Sequence, residues 1–132
     1  MSKRLNISSG VKWEAIIGYS RAVRIGNVVE VSGTTALDPT GELVGLNDPY
    51  EQTRFILAKI EKALNSAGAM LQDVVRTRMF VTDMSRWEEV GKAHGEYFKD
   101  IQPASTLVEV KSLVHPDMLV EIEVTAILQE TA

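Results

Sequence analysis

Hydrophobic and polar positions alternate through the last third of the chain. Gln102-Pro103-Ala104-Ser105-Thr106-Leu107-Val108-Glu109-Val110 leads through a short loop to Leu119-Val120-Glu121-Ile122-Glu123-Val124. Such alternation predicts strands with one apolar face, carrying Val108, Val110, Val120, Ile122 and Val124, and one ionisable face, carrying Glu109, Glu121 and Glu123. Three carboxylates on one sheet face must be paired, solvated or used. Upstream, the Gly26-Asn27 turn lies between two β-forming runs and predicts a hairpin of residues 20–25 and 28–35. Asp38-Pro39-Thr40-Gly41 is a second turn signal. The rhythm then becomes helical. Asp48 suits a helix cap, Pro49 the first helical position, and Glu51 lies three residues after the cap. Ile56, Ile60, Ala63, Leu64 and Ala67 form an apolar stripe that Gly68 ends. Residues 74–82 read as a strand. Ser85-Arg86-Trp87-Glu88 has capping-box spacing and opens a second helix with Trp87, Val90, His94 and Tyr97 or Phe98 on one side.

Strands, helix, strand, helix, strand, strand is the order of an α+β protein. Two helices cannot cover both faces of such a sheet, so both are expected on one face. The other face is expected to hold Arg76, Arg78, Glu109, Lys111, Glu121 and Glu123, and is read as a subunit interface whose charges pair across chains. The 132 residues are expected to form a single domain, 1–132, large enough for its own core. With 45% hydrophobic and 24% charged residues the composition is that of a soluble globular protein. There is no membrane-length apolar run, and Met1-Ser2-Lys3-Arg4 has no signal-peptide character, so a cytoplasmic location is expected. The chain has no cysteine, hence no disulfide or thiolate chemistry. The net charge of −4, with basic residues scattered, argues against nucleic acid as a partner. The histidines and carboxylates show no metal-ligand spacing.

Segments spread along the chain together resemble one family. Gly18-Tyr19-Ser20-Arg21-Ala22-Val23 precedes Val31-Ser32-Gly33-Thr34. Phe80-Val81-Thr82-Asp83-Met84 follows, and Pro103-Ala104-Ser105-Thr106-Leu107-Val108-Glu109-Val110 leads to Val120-Glu121-Ile122-Glu123. In order and spacing, over nearly the whole chain, these are similar to the Rid family (reactive intermediate or imine deaminases, also called YjgF and often labelled L-PSP endoribonuclease). The resemblance implies a single mixed β-sheet of the chorismate-mutase-like kind. It also implies a homotrimer with small-metabolite sites in the clefts between subunits, and hydrolysis of 2-aminoacrylate and related enamines or imines without metal or organic cofactor. Carried over by position, the pocket tyrosine is Tyr19, the Ser-Gly pair is Ser32 and Gly33, and the water-positioning glutamate is Glu121. The arginine that grips the substrate carboxylate falls on Ser105. Serine has one hydroxyl and no charge, so loss of the bidentate contact should cost about 3 kcal/mol or more in carboxylate binding. A second departure from the family pattern is one extra residue in the terminal hairpin, at Ser112-Leu113-Val114-His115-Pro116-Asp117, near the expected pocket rim.

Each candidate has a plainer alternative. Glu121 is either a general base or the structural partner of Arg76 or Arg78. Ser105 is a ligand-contacting hydroxyl or a strand residue. It is not read as a nucleophile, because neither histidine has an evident acid partner. Tyr19 lines a pocket or simply packs. Ser32-Gly33 meets a ligand oxygen or marks a bulge. Arg21, Arg24 or Arg78 is a replacement cation or a surface charge. His94 reads as a packed histidine and His115 as an exposed one. The leading expectation is a hydrolase of imines or enamines other than 2-aminoacrylate. The alternative is a non-enzymatic metabolite-binding or regulatory protein on the same scaffold. A ribonuclease ranks last, for want of a basic groove and a histidine pair.

Overall fold

The hairpin forms around the turn predicted for it. In a computed structural model, which describes residues 3–129, β2 (Ala22–Ile25) pairs antiparallel with β3 (Val28–Thr34), Ile25 opposite Val28. Gly26 takes φ +59°, the conformation that the first position of so short a turn demands. Met1 and Ser2 of the chain's start, like residues 130–132, lie outside the described residues. Ahead of the hairpin, β1 (Leu5–Ile7) adds to the outer edge of β2, and the short helix α1 (Lys12–Ile17) ends at Gly18 in the left-handed region.

The long helix α2 (Pro49–Ser66) starts as its sequence predicts: the Asp48 carboxylate accepts a hydrogen bond from the Glu51 amide at 3.1 Å. The stripe of Ile56, Ile60, Ala63, Leu64 and Ala67 is buried. A short 3-10 turn then leads into β4 (Val74–Val81). The second capping prediction does not hold. Asp83 accepts from both the amide and the hydroxyl of Ser85, which builds a 3-10 turn, Met84–Arg86, before α3 (Trp87–Phe98). Arg86 stands at the start of α3 without a side-chain cap bond, and Trp87 is 51% exposed, so Val90, Ala93 and Phe98 carry the buried side of the helix.

Two more strands, β5 (Ala104–Glu109) and β6 (Val120–Ile127), complete a six-stranded mixed sheet of order β1-β2-β3-β6-β4-β5. β6 lies between β3 and β4, antiparallel to both, while β5 runs parallel to β4 at the edge. Val29, Val31, Met79, Val81, Ile122 and Val124 join Ile56, Leu57, Val90 and Phe98 in one core, which places the helices on a single face. The register corrects one expectation. Arg78 stands opposite Glu123 and Phe80 opposite Glu121, so these do share the open face. Glu109, however, pairs with Val81 on the helix side, and Val108 pairs with Phe80 on the open side. Lys111 lies beyond the strand. β5 is an edge strand whose two faces are similarly exposed, so its alternation does not report which face is inward. Glu109 instead accepts a bond from the Met84 amide at 2.8 Å.

Replacing Asp48 with alanine removes the α2 cap and should lower stability by about 1 kcal/mol. In urea unfolding this appears as a lower midpoint at unchanged slope; an unchanged midpoint would show that the cap contributes nothing.

Candidate functional site

Between Val31 and Thr34 the β3–β6 ladder slips, since Val31 pairs with Val124 and Thr34 with Ile122. Ser32 and Gly33 occupy this bulge, at the place where β6 presents Glu121 on the open face. A Cβ built on Gly33 would sit 2.0 Å from Oε2 of Glu121 and 3.0 Å from its Cδ. Only glycine admits the carboxylate there. The ladder thus shows the bulge reading of this pair.

Glu121 is half-buried, and among the described residues it forms no ion pair. The arginines that might have taken it are engaged elsewhere. Arg78 lies 3.9 Å from Glu123, and Arg76 donates to the Thr106 hydroxyl at 2.6 Å. Burial raises the Glu121 carboxyl above its usual range; the Arg21 charge works against that rise, and the nearby Glu123 adds to it.

Arg21 is the cation beside this carboxylate. Its Nη2 donates to the Gly33 carbonyl at 2.8 Å, its guanidinium carbon lies 5.8 Å from the centre of the Tyr19 ring, and its buried Nε has no hydrogen-bond partner among the described residues. Tyr19 follows the left-handed Gly18, and its amide closes α1 on the Glu14 carbonyl. Ser32 is committed within the hairpin: its hydroxyl donates to the Ser20 carbonyl at 2.6 Å and its amide to the Arg21 carbonyl at 3.0 Å. Arg24 is structural, donating to the carbonyls of Gly26 and Ala67. An open hollow of about 330 Å³ lies on the same face, beside Ser32, Arg78 and Glu123.

The structure thus brings together Tyr19, Ser32, Gly33 and Glu121, with Arg21 added. It does not bring Ser105 to them within one chain. Ser105 pairs with Thr77 on the helix side of the sheet, where their hydroxyls lie 2.7 Å apart. His94 Nε2 lies 2.9 Å from the same Thr77 oxygen, so this histidine is not merely packed. His115 is exposed and accepts from the Asp117 amide at 3.1 Å.

Two residues were missed. Glu14, buried in α1, would be raised by burial, but bonds from Ser9 and Ser8 and the charge of Arg21 hold it below its usual value. Lys59 donates to the carbonyls of Thr35 and Leu37 at 2.7 and 2.8 Å, tying the exit of β3 to α2. Burial, helped by the Arg21 charge, brings its amine down to about 8. A lysine beside Ile60 in the apolar stripe was the available signal for the second. Ser8 and Ser9 ahead of Glu14 are too common a pattern to have signalled the first. Among the described residues no three or more histidines, cysteines or carboxylates are grouped to hold a metal, and no helix is long and apolar enough to cross a membrane.

Comparison with known proteins agrees with this geometry. Residues 10–128 match the family described as Endoribonuclease L-PSP. The chain is 36% identical over 104 residues to the 3-aminoacrylate deaminase RutC of Acinetobacter baylyi, covering 79% of this chain and 82% of that one. Among solved structures, Rv2704 of Mycobacterium tuberculosis, of the YjgF/YER057c/UK114 family, superposes with a TM-score of 0.87 at 49% identity, over 96% of this chain and all of that one. The YjgF gene product of E. coli superposes with a TM-score of 0.80 at 28% identity, over 94% of each. The family match over residues 10–128, the identity to these relatives and the shared α+β fold make the chain a member of the Rid/YjgF/L-PSP family.

Proposed function

We propose that this protein hydrolyses the C=N bond of a small imine, or of an enamine through its imine tautomer, in clefts between the subunits of a homotrimer. The observation that carries the reading is Glu121, a half-buried carboxylate with a raised pKa and no ion-pair partner among the described residues, seated on Gly33 beside Arg21. A carboxylate in such a place is suited to general-base work near neutral pH. Glu121 takes a proton from water as the oxygen attacks the imine carbon, and the nitrogen accepts a proton. The resulting carbinolamine expels ammonia and leaves a carbonyl, so that imine and water become ketone or aldehyde and ammonia. Arg21 places positive charge where the substrate's polar end is held, and Tyr19 walls the pocket. The name of the Acinetobacter relative describes the deamination of an enamine, which supports this reaction class.

Ser105 and Glu121 of one chain lie on opposite faces of the sheet, so a cleft containing both draws Ser105 from a neighbouring subunit. With serine where the resemblance places the carboxylate-gripping arginine, 2-aminoacrylate is a poor substrate, and the preferred imine either lacks an α-carboxylate or is held through Arg21. The same serine favours the second reading, a metabolite-binding protein without turnover, which would show saturable binding and no ammonia release.

Ammonia release should be measured with imines generated by an amino-acid oxidase and by an amine oxidase, which supply substrates with and without a carboxylate. Glu121→Gln should lower the catalysed rate about 10²–10⁴-fold, with the trimeric mass unchanged in solution. Arg21→Gln should lower kcat/KM about tenfold or more. A monomeric native mass, or native turnover that survives Glu121→Gln, would defeat the reading. Stability supplies an independent check. Below the ordinary Glu value of 4.5 both folded and unfolded chains hold the Glu121 proton. As pH rises through the raised folded value, the unfolded state ionises more readily and native stability falls. The urea midpoint of Glu121→Gln should therefore gain on the native one as pH rises above 4.5.

A further inference from the structure

Three polar side chains outside the Glu121 cluster are joined in a line. His94 Nε2 lies 2.9 Å from the Thr77 hydroxyl oxygen, and that oxygen lies 2.7 Å from the Ser105 hydroxyl. Thr77 is 0% exposed, His94 half-buried, and Ser105 exposed at the outer end. The edge strand β5 sets Ser105 in register with Thr77, and α3 lays His94 across them. Each hydroxyl has a single proton and two lone pairs, so Thr77 can donate along the line in one direction only. The line therefore has a polarity, and the proton on His94 decides it. Among the described residues Nδ1 of His94 has no hydrogen-bond partner. Either tautomer fits the 2.9 Å contact; the one with the proton on Nε2 makes His94 the donor and leaves Nδ1 an acceptor. In that arrangement His94 donates to Thr77 and Thr77 can donate to Ser105, which frees the Ser105 O–H to point outward.

We infer that His94, Thr77 and Ser105 form a hydroxyl relay that presents Ser105 to the cleft as a fixed hydrogen-bond donor. It selects a substrate whose end there is a neutral oxygen acceptor, such as an amide carbonyl, over one that ends in a carboxylate. Ser105 is the ligand-contacting residue, and Thr77 and His94 are positioning residues. The inference rests on the cleft reading above, in which Ser105 comes from a neighbouring subunit. One hydroxyl satisfies a neutral carbonyl; it cannot replace the water shell of a carboxylate, which needs a charge or several donors. Burial, which lowers the His94 pKa, supports a neutral imidazole at the head of the relay.

The test uses the intact protein labelled with ¹⁵N. The chain has two histidines, so the exposed His115 serves as an internal reference for the ring nitrogens of His94. The expected spectrum shows His94 as the Nε2–H tautomer, and Thr77→Val shifts its ring nitrogens without moving those of His115. Titration then compares pyruvamide with pyruvate, two probes alike in shape and unlike in charge. Pyruvamide should perturb the His94 ring and bind about tenfold more tightly than pyruvate. Ser105→Ala and His94→Leu should abolish that preference, whereas His94→Gln, whose amide can still donate to Thr77, should keep most of it. An Nδ1–H tautomer, no binding of either probe, a preference for pyruvate, or a preference indifferent to Ser105→Ala would each overturn the inference. The two readings fail separately. A Ser105-dependent preference without ammonia release from any imine would sustain the relay and remove the hydrolase. Turnover dependent on Glu121 with no Ser105-dependent preference would do the reverse.

Discussion

The approach of the Glu121 carboxylate to the α-carbon of Gly33 constrains the chemistry of the open sheet face. Two adjacent strands normally keep side chains on one face apart by the width of a Cβ at each position. Here β3 slips by one residue and omits the Cβ, and the carboxylate occupies the space. That places Glu121 against backbone rather than in water, and burial raises its pKa. The same bulge turns the Gly33 carbonyl toward Arg21, which is thereby fixed close enough to act on the carboxylate without forming a salt bridge with it. A tight ion pair would pull the carboxylate pKa down and occupy its oxygens; a held, offset guanidinium leaves it basic.

Register distributes the remaining charges. Arg78 stands across from Glu123, not Glu121, because β4 and β6 pair Phe80 with Glu121. A one-residue change of pairing would move every side chain of the strand to the other face and bury the arginines. Lys59 adds a second constraint from the helix layer by holding the carbonyls of Thr35 and Leu37 just beyond the bulge. Its amine pKa, brought down to about 8, reflects burial first and the Arg21 charge second.

Much of this was legible from sequence, and most of the exceptions share a cause. The Gly26-Asn27 turn, the Asp48-Pro49 helix start and the apolar stripe of α2 are local signals with local physics, and each appears in the structure. The pairing of Tyr19, Ser32, Gly33 and Glu121 came through family resemblance, since periodicity alone cannot show that residues so far apart in sequence meet. What failed was non-local, apart from the capping box, which lost to a local competitor. Ser85 offered capping-box spacing, but Asp83 was better placed to take its amide and hydroxyl. Val108 and Glu109 were assigned to the wrong faces because an edge strand lacks the burial contrast that makes alternation informative. The choice among Arg21, Arg24 and Arg78 needed the hydrogen bonds themselves, for nothing in the sequence distinguishes a guanidinium that ties down a helix end from one beside a carboxylate.

The position of Ser105 bears on how site and assembly are related. A catalytic cluster confined to one sheet face would work in a lone chain, and its evolution would be free of the interface. Under the proposed reading the cleft needs Glu121 from one sheet face and Ser105 from the opposite face of another copy, so a change at either alters a surface that two subunits share. A serine at this position then removes a charge from an interface as well as from a site. An arginine there would have to be neutralised by each substrate or leave a buried cation against the neighbour, whereas a hydroxyl satisfied by Thr77 imposes no such demand. Substrate neutrality and subunit packing would be coupled through one side chain, whose hydroxyl the Thr77 and His94 contacts hold in place.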